Sequence, residues 1–339
     1  MECDSVYPDP QPMTGMIPGD SPEASATVEE MAGWQEYFIN NFIRRPGQHL
    51  LEIGKTGTGK TQFLYWIVDL LREYSPQESI VWFDIGKGDE ILTLLEYFAR
   101  VRQEPVRIVT LPGCEIAIDG PEGIDVEFVT VAHCADVWKQ IQPGRLLIAS
   151  FEPFIEDPNL AVQETASMFK ELSHLAHRRQ IYAPTAIIYD EFHNVCPAGG
   201  YGFAATGKEG RIQTQSINLI RQNVQKLRSQ KLRLICTTHQ WTQLNRGVRA
   251  SFEWLVPRRG SIFGWDDQRL RDFNPLWRKM QTNECYIVLP DGSFTRSLKL
   301  PYYQDGSKLG QVRYGGIYEV KNETKIRSKR TIEDADRRA

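Results

Sequence analysis

Short apolar runs alternate along the chain with longer stretches in which apolar residues recur every three or four positions. Most of the runs are apolar on both faces, and several are rich in Val and Ile. The runs are "HLLEI" (49–53), "IVWFD" (80–84), "VRIVTL" (106–111), "VEFVTV" (126–131), "LLIAS" (146–150), "TAIIYDE" (185–191) and "LRLICTT" (232–238). Strands of this kind, separated by helices, predict a mostly parallel sheet that is covered on both sides.

The stretches between the runs predict amphipathic helices. Asp157-Pro158 predicts the start of one of them, because Asp is a preferred N-cap and Pro a preferred first helical residue. A more polar helix is expected at about 212–230. The apolar stripes are Met31, Trp34, Phe38 and Phe42; Phe63, Leu64, Ile67, Leu70 and Leu71; Ile91, Leu94, Leu95 and Phe98; and Leu160, Met168, Phe169, Leu172, Leu175 and Ala176.

These elements predict one large domain over residues 27–320. Strands are expected to be inserted at 101–145, on either side of a Gly/Pro-rich loop at 112–124. The stretch "CYIVLPDGSFTRSLKL" (285–300) predicts a C-terminal β-hairpin, because Asp-Gly between two apolar runs is a strong turn signal.

Three segments have the composition of flexible chain. Residues 1–26 are acidic and Pro-rich, residues 321–339 are basic, and residues 198–210 are Gly-rich. Each offers too little apolar surface to offset the entropy lost on ordering. The sequence therefore predicts a flexible arm, a flexible basic tail and a mobile internal segment.

Composition and charge are those of an ordinary globular protein. Of 339 residues, 41% are hydrophobic and 24% are charged, and the formal net charge is −3. Contact with a nucleic acid would therefore have to come from a local basic patch. No apolar run reaches transmembrane length and the N-terminus has no secretory pattern, so we expect no membrane span and a cytoplasmic location, which would be the host cytoplasm or the virion if the chain is viral.

The sequence gives only weak indications of a metal-binding site. Six cysteines occur without a CxxC pair, which indicates reduced thiols and not a disulfide framework or a zinc site. His174 and His177 lie three positions apart on a predicted helix, but no further ligand is near them in sequence. A solvated helix face is the better interpretation of this pair.

A phosphate-binding loop is the strongest chemical signal. "GKTGTGKT" (54–61) matches GxxxxGK[ST] in full, follows a predicted strand and opens a predicted helix. Its glycines allow backbone N–H groups to converge on phosphate oxygens, and the helix N-terminus adds partial positive charge. Lys60 would neutralise the β- and γ-phosphates, and the Thr61 hydroxyl would ligate Mg²⁺. The predicted nucleotide-binding residues are Gly54, Lys55, Thr56, Gly57, Thr58, Gly59, Lys60, Thr61 and Gln62.

A carboxylate pair is expected at the same site. Asp190 and Glu191 end a buried strand, so Asp190 can hold Mg²⁺ through water and Glu191 can polarise the attacking water. The alternative is a pair that only caps the following turn. The guanine-recognition motif Asn-Lys-x-Asp does not occur, which favours ATP over GTP. The predicted fold class is α/β, a P-loop NTPase of the RecA-like (ASCE) type with a mostly parallel central sheet flanked by helices and a C-terminal β-hairpin.

Four stretches together resemble the HerA/FtsK superfamily of DNA-pumping ATPases. They are "LLEIGKTGTGKT", "VWFDIGKGDE" (81–90), "IIYDEFHN" and "QKLRSQKLRLICTTHQ" (225–240). The likeness spans roughly residues 48–250. The second stretch is similar to the family's Asp-Pro-Lys-Gly, with Ile85-Gly86 where that pattern has proline.

The resemblance implies roles for residues outside the phosphate loop. Arg228 corresponds to the arginine that family members insert into a neighbouring subunit's site, where it would stabilise charge on the transferring phosphoryl group. His239 stands where the family has a glutamine that senses the γ-phosphate, and Gln240 follows it, so either residue could do this. The alternatives are a solvated arginine and a plain polar turn. Lys87 and Asp84 are expected to support the site.

The resemblance also implies partners. Family members form hexameric rings that thread double-stranded DNA, and the size of this chain is similar to that of viral genome-packaging ATPases or a mobile-element pump, with a possible capsid or membrane-complex partner. Candidate basic loops carry Tyr201, Phe203, Lys208 and Arg211, or Arg246, Arg249, Arg258 and Arg259, beside the basic tail. Two other functions stay open: a Zot-like ATPase of phage assembly or export, and a nucleotide-gated regulatory protein.

Overall fold

The computed structural model describes residues 28–120, 123–181, 183–199, 207–295 and 297–318. Its strands are β1 (Leu50–Ile53), β2 (Ser79–Asp84), β3 (Val106–Thr110), β4 (Glu115–Asp119), β5 (Val126–Thr130), β6 (Leu146–Ser150), β7 (Thr185–Tyr189), β8 (Leu232–Thr238), β9 (Trp254–Pro257), β10 (Glu284–Cys285), β11 (Leu298–Lys299) and β12 (Gln311–Gly315). Its helices are α1 (Val28–Phe38), α2 (Lys60–Tyr74), α3 (Asp89–Leu94), α4 (Pro158–His177), α5 (Gly207–Leu227), α6 (Arg246–Arg249), α7 (Gln268–Arg271) and α8 (Asn274–Lys279).

In the described part of the chain, eight strands form one sheet in the order β5-β3-β6-β2-β7-β8-β1-β9. Every neighbouring pair in it is parallel. The predicted mostly parallel sheet is confirmed, and the fold is that of a P-loop NTPase. Because all the strands point the same way, the loops that follow β1, β8, β7 and β2 meet side by side at the carboxyl edge.

Alternate residues of each central strand enter two separate cores. Ile80 and Trp82 of β2 pack with α1, α2 and α3 on one face of the sheet, whereas Val81 and Phe83 pack with α4 and α5 on the other. This is the period-2 alternation of a strand with both faces buried. The amphipathic helices predicted from the apolar stripes are confirmed, and Asp157 caps α4 by accepting a hydrogen bond from the Asn159 N–H at 2.9 Å.

The region from residue 101 onward differs in part from the sequence prediction. Strands β3 and β5 form at the expected residues, and the structure places them at one end of the main sheet. The predicted loop at 112–124 is wrong in part, because it contains β4. Strand β4 pairs antiparallel with β12, which the sequence analysis did not identify. Strand β9 was also missed, since its four residues are too short a run to stand out. β4 and β12 alternate exposed and half-buried residues, so neither shows the continuous apolar run of a buried strand.

The predicted C-terminal hairpin is confirmed. Strands β10 and β11 pair antiparallel, and the Gly292 N–H donates to the Leu289 carbonyl at 2.9 Å in the connecting turn. Gly292 has a φ of 88°, which explains the glycine at this position. The hairpin lies beside the end of β9, where Arg258 and Cys285 form an isolated antiparallel bridge.

Several expectations concern residues that the structure does not describe. The arm at 1–26, the tail at 321–339 and most of the Gly-rich segment at 198–210 lie outside the described residues, although 207–210 already belong to α5. Among the described helices none is long and apolar enough to cross a membrane. Within the same ranges five cysteines are free and buried, and His174 and His177 are exposed on α4.

His49 gives the fold a pH-dependent stability. Its buried ring accepts a hydrogen bond from the Leu234 N–H at Nδ1 (3.0 Å) and lies 3.2 Å from the Val224 carbonyl at Nε2, so the neutral form fits. Burial lowers the pKa of His49 from 6.5 to about 4. Between those pH values the unfolded chain binds the proton and the folded one does not. We expect the free energy of unfolding to fall by up to about 3 kcal/mol from pH 7 to pH 4 on this account.

Denaturant unfolding at a series of pH values measures this fall. His49→Asn should be less stable at pH 7 but should lose less stability on acidification, and the exposed His177→Asn should follow the wild type. Parallel pH curves for wild type and His49→Asn would contradict the assignment.

Candidate functional site

The loop 54–59 connects the buried β1 to the first turn of α2. Gly57 and Gly59 have φ values of 76° and 85°, which only glycine adopts without strain, and Lys55, Thr56 and Gly57 are exposed. The Thr58 hydroxyl donates to the Lys55 carbonyl at 2.7 Å and closes the turn. The N–H groups in the first turn of a helix have no acceptor within the helix. The loop and the start of α2 therefore offer the kind of donors that bind anions at helix N-termini.

Lys60 is held inside this loop. Its Nζ donates to the Gly54 carbonyl at 2.9 Å and lies 3.3 Å from the Lys55 carbonyl and 3.2 Å from Nδ1 of His239. Burial lowers the pKa of Lys60, while the charge of Asp190 opposes that shift. The ammonium is therefore close to both the loop and the residues that follow β7 and β8.

Strand order explains why the second carboxylate motif reaches the loop. β8 lies between β1 and β7, so the residues after β7 and β8 face the phosphate loop at the carboxyl edge. Asp190 is only 1% exposed and accepts hydrogen bonds from the Thr237 hydroxyl and, at 3.0 Å, from the Glu191 N–H. Glu191 has a φ of 50°, and its Oε1 lies 3.6 Å from Nε2 of His239.

Lys87, in the loop after β2, forms ion pairs with three carboxylates. Its Nζ lies 2.5 Å from Asp190, 3.2 Å from Glu191 and 3.4 Å from Glu90. Burial alone would raise the pKa of Asp190, but the Lys87 ammonium, the Thr237 hydroxyl and the charge of Lys60 together outweigh it and hold that pKa below its usual value. The same contacts raise the pKa of Lys87 although burial acts against them. Lys87 is therefore the counter-ion of this carboxylate group.

Two side chains of this group were not identified from the sequence. Glu90 is 2% exposed, and within the described ranges its carboxylate has the ion pair with Lys87 at 3.4 Å but no contact with hydrogen-bond geometry. Burial and the charge of Asp190 raise its pKa well above the usual range. His193 packs its ring 4.8 Å from that of His239, and burial lowers its pKa to about 4. Glu191, His193 and His239 offer ligand atoms within 4.8 Å of one another. A spacing of three from Lys87 is the only sequence signal that pointed toward Glu90.

Asp84 holds the loop that carries Lys87 in place. Its carboxylate accepts hydrogen bonds from the Ser150 hydroxyl (2.5 Å), the Gly86 N–H (2.9 Å) and the Tyr314 hydroxyl (3.0 Å). With these contacts Asp84 is buried, and it supports the site through the loop and not by entering it.

Gln62, a predicted nucleotide-binding residue, turns its side chain away from this cluster. The Gln62 amide bonds the backbone of Tyr303 through both its ends, at 2.6 and 3.0 Å, so its side chain does not face the loop. Gln240 accepts a hydrogen bond from the Thr238 hydroxyl through its backbone carbonyl, and it is His239 that contacts Lys60. Thr61 is half-buried in the first turn of α2.

Arg228 lies at the other edge of the sheet. It precedes β8, whereas the phosphate loop follows the parallel strand β1, so it cannot reach the loop of its own chain. Its side chain is 63% exposed and pairs with Glu253. Two other arginines correct an expectation: Arg249 and Arg258, predicted as part of exposed basic loops, are buried, Arg249 against Trp241 and Asp266 and Arg258 behind the phosphate loop.

The geometry supports two kinds of ligand. A glycine-rich loop with a lysine at a helix N-terminus suits a phosphate group, and the oxygens of Asp190, Glu191 and Thr61 are the donors that a hard divalent cation such as Mg²⁺ prefers.

No family model and no curated protein matches the sequence. Among solved structures, the chain is similar to the genome packaging NTPase B204 from Sulfolobus turreted icosahedral virus 2 in complex with ATP-gammaS, at 9% identity and a TM-score of 0.44, over 76% of this chain and 99% of that one. It is also similar to the bacterial conjugative coupling protein TrwBdeltaN70, at 12% identity and a TM-score of 0.48, over 77% and 86%. The cytoplasmic domain of the Thermomonospora curvata Type VII secretion ATPase EccC matches at 13% identity and a TM-score of 0.38, over 76% and 25%.

Lys87→Met should uncover a cation site in the absence of nucleotide. The substitution removes the ammonium from Asp190, Glu191 and Glu90, so these carboxylates should bind Mn²⁺ about tenfold more tightly or better. Electron paramagnetic resonance of free Mn²⁺ during a titration measures this affinity. Lys139→Met, which removes an exposed lysine paired with Asp136, is the matched control. Equal Mn²⁺ affinities for wild type and Lys87→Met would show that the ammonium does not compete with a cation here.

Proposed function

We propose that this protein is an Mg²⁺-dependent ATPase that converts ATP and water to ADP and phosphate. The observation that supports it is a chain of contacts at the carboxyl edge of the sheet: Lys60 lies 3.2 Å from His239, and His239 lies 3.6 Å from Glu191. Lys87 in turn pairs with both Glu191 and Asp190. The loop 54–61 would hold the phosphates through its N–H groups and Lys60. Thr61 and Asp190 would hold Mg²⁺, which would supply positive charge to the phosphates.

In this proposal Glu191 is the general base. Its carboxylate is held by Lys87 at 3.2 Å and faces Nε2 of His239, and it would accept the proton of the water that attacks the γ-phosphate. Lys60 donates to Nδ1 of His239, so the proton of a neutral His239 belongs on Nε2, on the side of Glu191. His239, and not Gln240, is therefore our candidate for the group that links the γ-phosphate to the base.

We infer further that hydrolysis drives movement along double-stranded DNA, as in viral genome packaging or the transfer of a mobile element. The support is the ordered set of four sequence stretches, together with the position of Arg228. Its side chain is exposed and lies far from the phosphate loop of its own chain. A homo-hexameric ring would bring Arg228 of one subunit to the phosphates of the next. The protein would act in the cytoplasm, in contact with DNA and with a capsid or a membrane complex.

Two other functions compete with this one. A Zot-like ATPase of phage assembly would use the same nucleotide site at a membrane, and a nucleotide-gated regulatory protein would bind ATP without translocating anything. Stimulation of ATP hydrolysis by double-stranded DNA favours the motor over both. Hydrolysis that ignores DNA, in a protein that stays monomeric with ATP and Mg²⁺, favours the regulatory protein.

Glu191→Gln should separate binding from hydrolysis. Without a base the rate of ATP hydrolysis should fall roughly 10²- to 10⁴-fold, while the affinity for ATP measured by calorimetry stays close to that of the wild type. Glu156→Gln, which changes an exposed carboxylate elsewhere, should hydrolyse ATP normally. A wild-type rate of ATP hydrolysis in Glu191→Gln would show that Glu191 is not the general base.

Mixing two inactive variants tests whether Arg228 acts on a neighbouring subunit. Arg228→Ala keeps an intact phosphate loop, and Lys60→Ala keeps an intact arginine, so each alone should hydrolyse little ATP. In mixed rings an Arg228 from one variant can complete the site of the other, and ATP hydrolysis should reappear with double-stranded DNA present. Full activity of Arg228→Ala alone, or mixtures that stay inactive, would place the arginine finger elsewhere.

A further inference from the structure

Arg258 contacts the rear of the phosphate loop from a buried position. It directly follows β9, is 0% exposed, and its Nη2 donates to the Thr58 carbonyl at 2.8 Å and to the Gly59 carbonyl at 2.7 Å. Its backbone N–H donates to the Ile53 carbonyl at 2.8 Å, so the residue is fixed beside the end of β1. The guanidinium thus binds two consecutive carbonyls of the loop that is expected to hold phosphate.

Those two contacts determine where the loop's N–H groups point. In a trans peptide the carbonyl of one residue and the N–H of the next point in opposite directions. Holding the Thr58 and Gly59 carbonyls against Arg258 therefore turns the N–H groups of Gly59 and Lys60 away from it, toward the concave side of the loop. These are two of the donors that an anion cradle requires.

The loop sequence is matched to this guanidinium. A Cβ built on Gly59 would lie 2.5 Å from Nη2 of Arg258, and a Cβ on Gly54 would lie 2.6 Å from the Arg258 Cβ. Both distances are too short for real side chains. At both positions the approach of Arg258 requires glycine, and at Gly59 the φ of 85° requires it as well.

The charge of Arg258 is balanced inside the protein. Its Nε lies 3.2 Å from Oε1 of Glu52 on β1, and both side chains are fully buried. A buried ion pair is weak evidence for a stabilising role, because the desolvation of two charges offsets their attraction, and an apolar pair of similar size is often as stable. The position of this pair therefore calls for an explanation other than stability.

We propose that Arg258 is a positioning residue for nucleotide binding, which orients the N–H groups of Gly59 and Lys60 by holding the carbonyls behind them. The inference rests on the proposed ATPase function and deepens it, because it assigns part of the phosphate affinity to a residue outside the loop motif. Glu52 keeps the guanidinium in place and compensates its charge.

A second buried pair provides a matched control. Arg233 donates to the Phe42 and Ile43 carbonyls at 2.8 Å each and pairs with Glu78 at 2.7 Å, so it also holds two consecutive carbonyls and a buried carboxylate. It lies on β8 near its amino end, at the opposite edge of the sheet from the phosphate loop. Replacing this pair changes the same interactions without touching the proposed nucleotide site.

The test compares the full-length double variants Arg258→Met/Glu52→Met and Arg233→Met/Glu78→Met with wild type. Thermal unfolding reports stability, and calorimetric titration with ATP and Mg²⁺ reports affinity. Removing both partners avoids an unpaired buried charge, so both variants should fold. We expect the affinity for ATP to fall about tenfold or more in Arg258→Met/Glu52→Met, because two bonds to a charged ligand are misdirected, and to be unchanged in the control.

The outcomes are distinguishable. Wild-type affinity in Arg258→Met/Glu52→Met overturns the inference and leaves the ATPase proposal standing, and an equal loss in both double variants overturns it in favour of a general effect of core charge. A wild-type protein that does not bind ATP overturns both proposals. If Arg258→Met/Glu52→Met does not fold, Arg258→Gln/Glu52→Gln takes its place: two neutral amides leave no buried charge and remove the guanidinium from both carbonyls, so a several-fold loss of affinity supports the inference and full affinity overturns it.

Discussion

A buried, ionised carboxylate needs donors and positive charge around it, and Asp190 imposes that requirement on the carboxyl edge of the sheet. The Thr237 hydroxyl, the Glu191 N–H and the Lys87 ammonium all converge on it, from β8, β7 and the loop after β2. An unpaired charge at this depth would cost several kcal/mol. The neighbouring strands must therefore keep their relative positions, and the same register brings Lys60 and His239 to the site.

Much of the fold could be predicted from the sequence, because most strands of the central sheet are buried and show as continuous apolar runs. β2 and β7 are such runs, and their carboxyl ends carry the residues that matter chemically. The exceptions are β5, which is largely exposed, and β9, whose four buried residues were too few to be recognised. The strands that were missed follow a different rule. β4 and β12 have alternating exposed faces and find each other across almost 200 residues, and nothing local in either one signals that pairing.

The residues of the site could be predicted only where they belong to a recognisable local motif. The phosphate loop and the Asp190-Glu191 pair have fixed local spacing, so the sequence identifies both and strand order brings them together. Glu90 and Arg258 had no such signature: a glutamate in a first helical turn and an arginine in "PRRG" both read as surface residues. Their burial depends on which strands lie next to each other, which is a property of the assembled sheet. Arg258 in particular was interpreted as part of a basic surface, and the structure corrects this.

Two contacts from the C-terminal region have a consequence for how the chain matures during synthesis. Tyr303 bonds Gln62 on the helix after the phosphate loop, and Tyr314 bonds Asp84 under the Lys87 loop. Both tyrosines leave the ribosome more than 200 residues after the segments they support. A nascent chain that has already formed its central sheet would therefore still lack these two supports, and the loops of the candidate site would reach their final arrangement only after residues 303 and 314 have been synthesised.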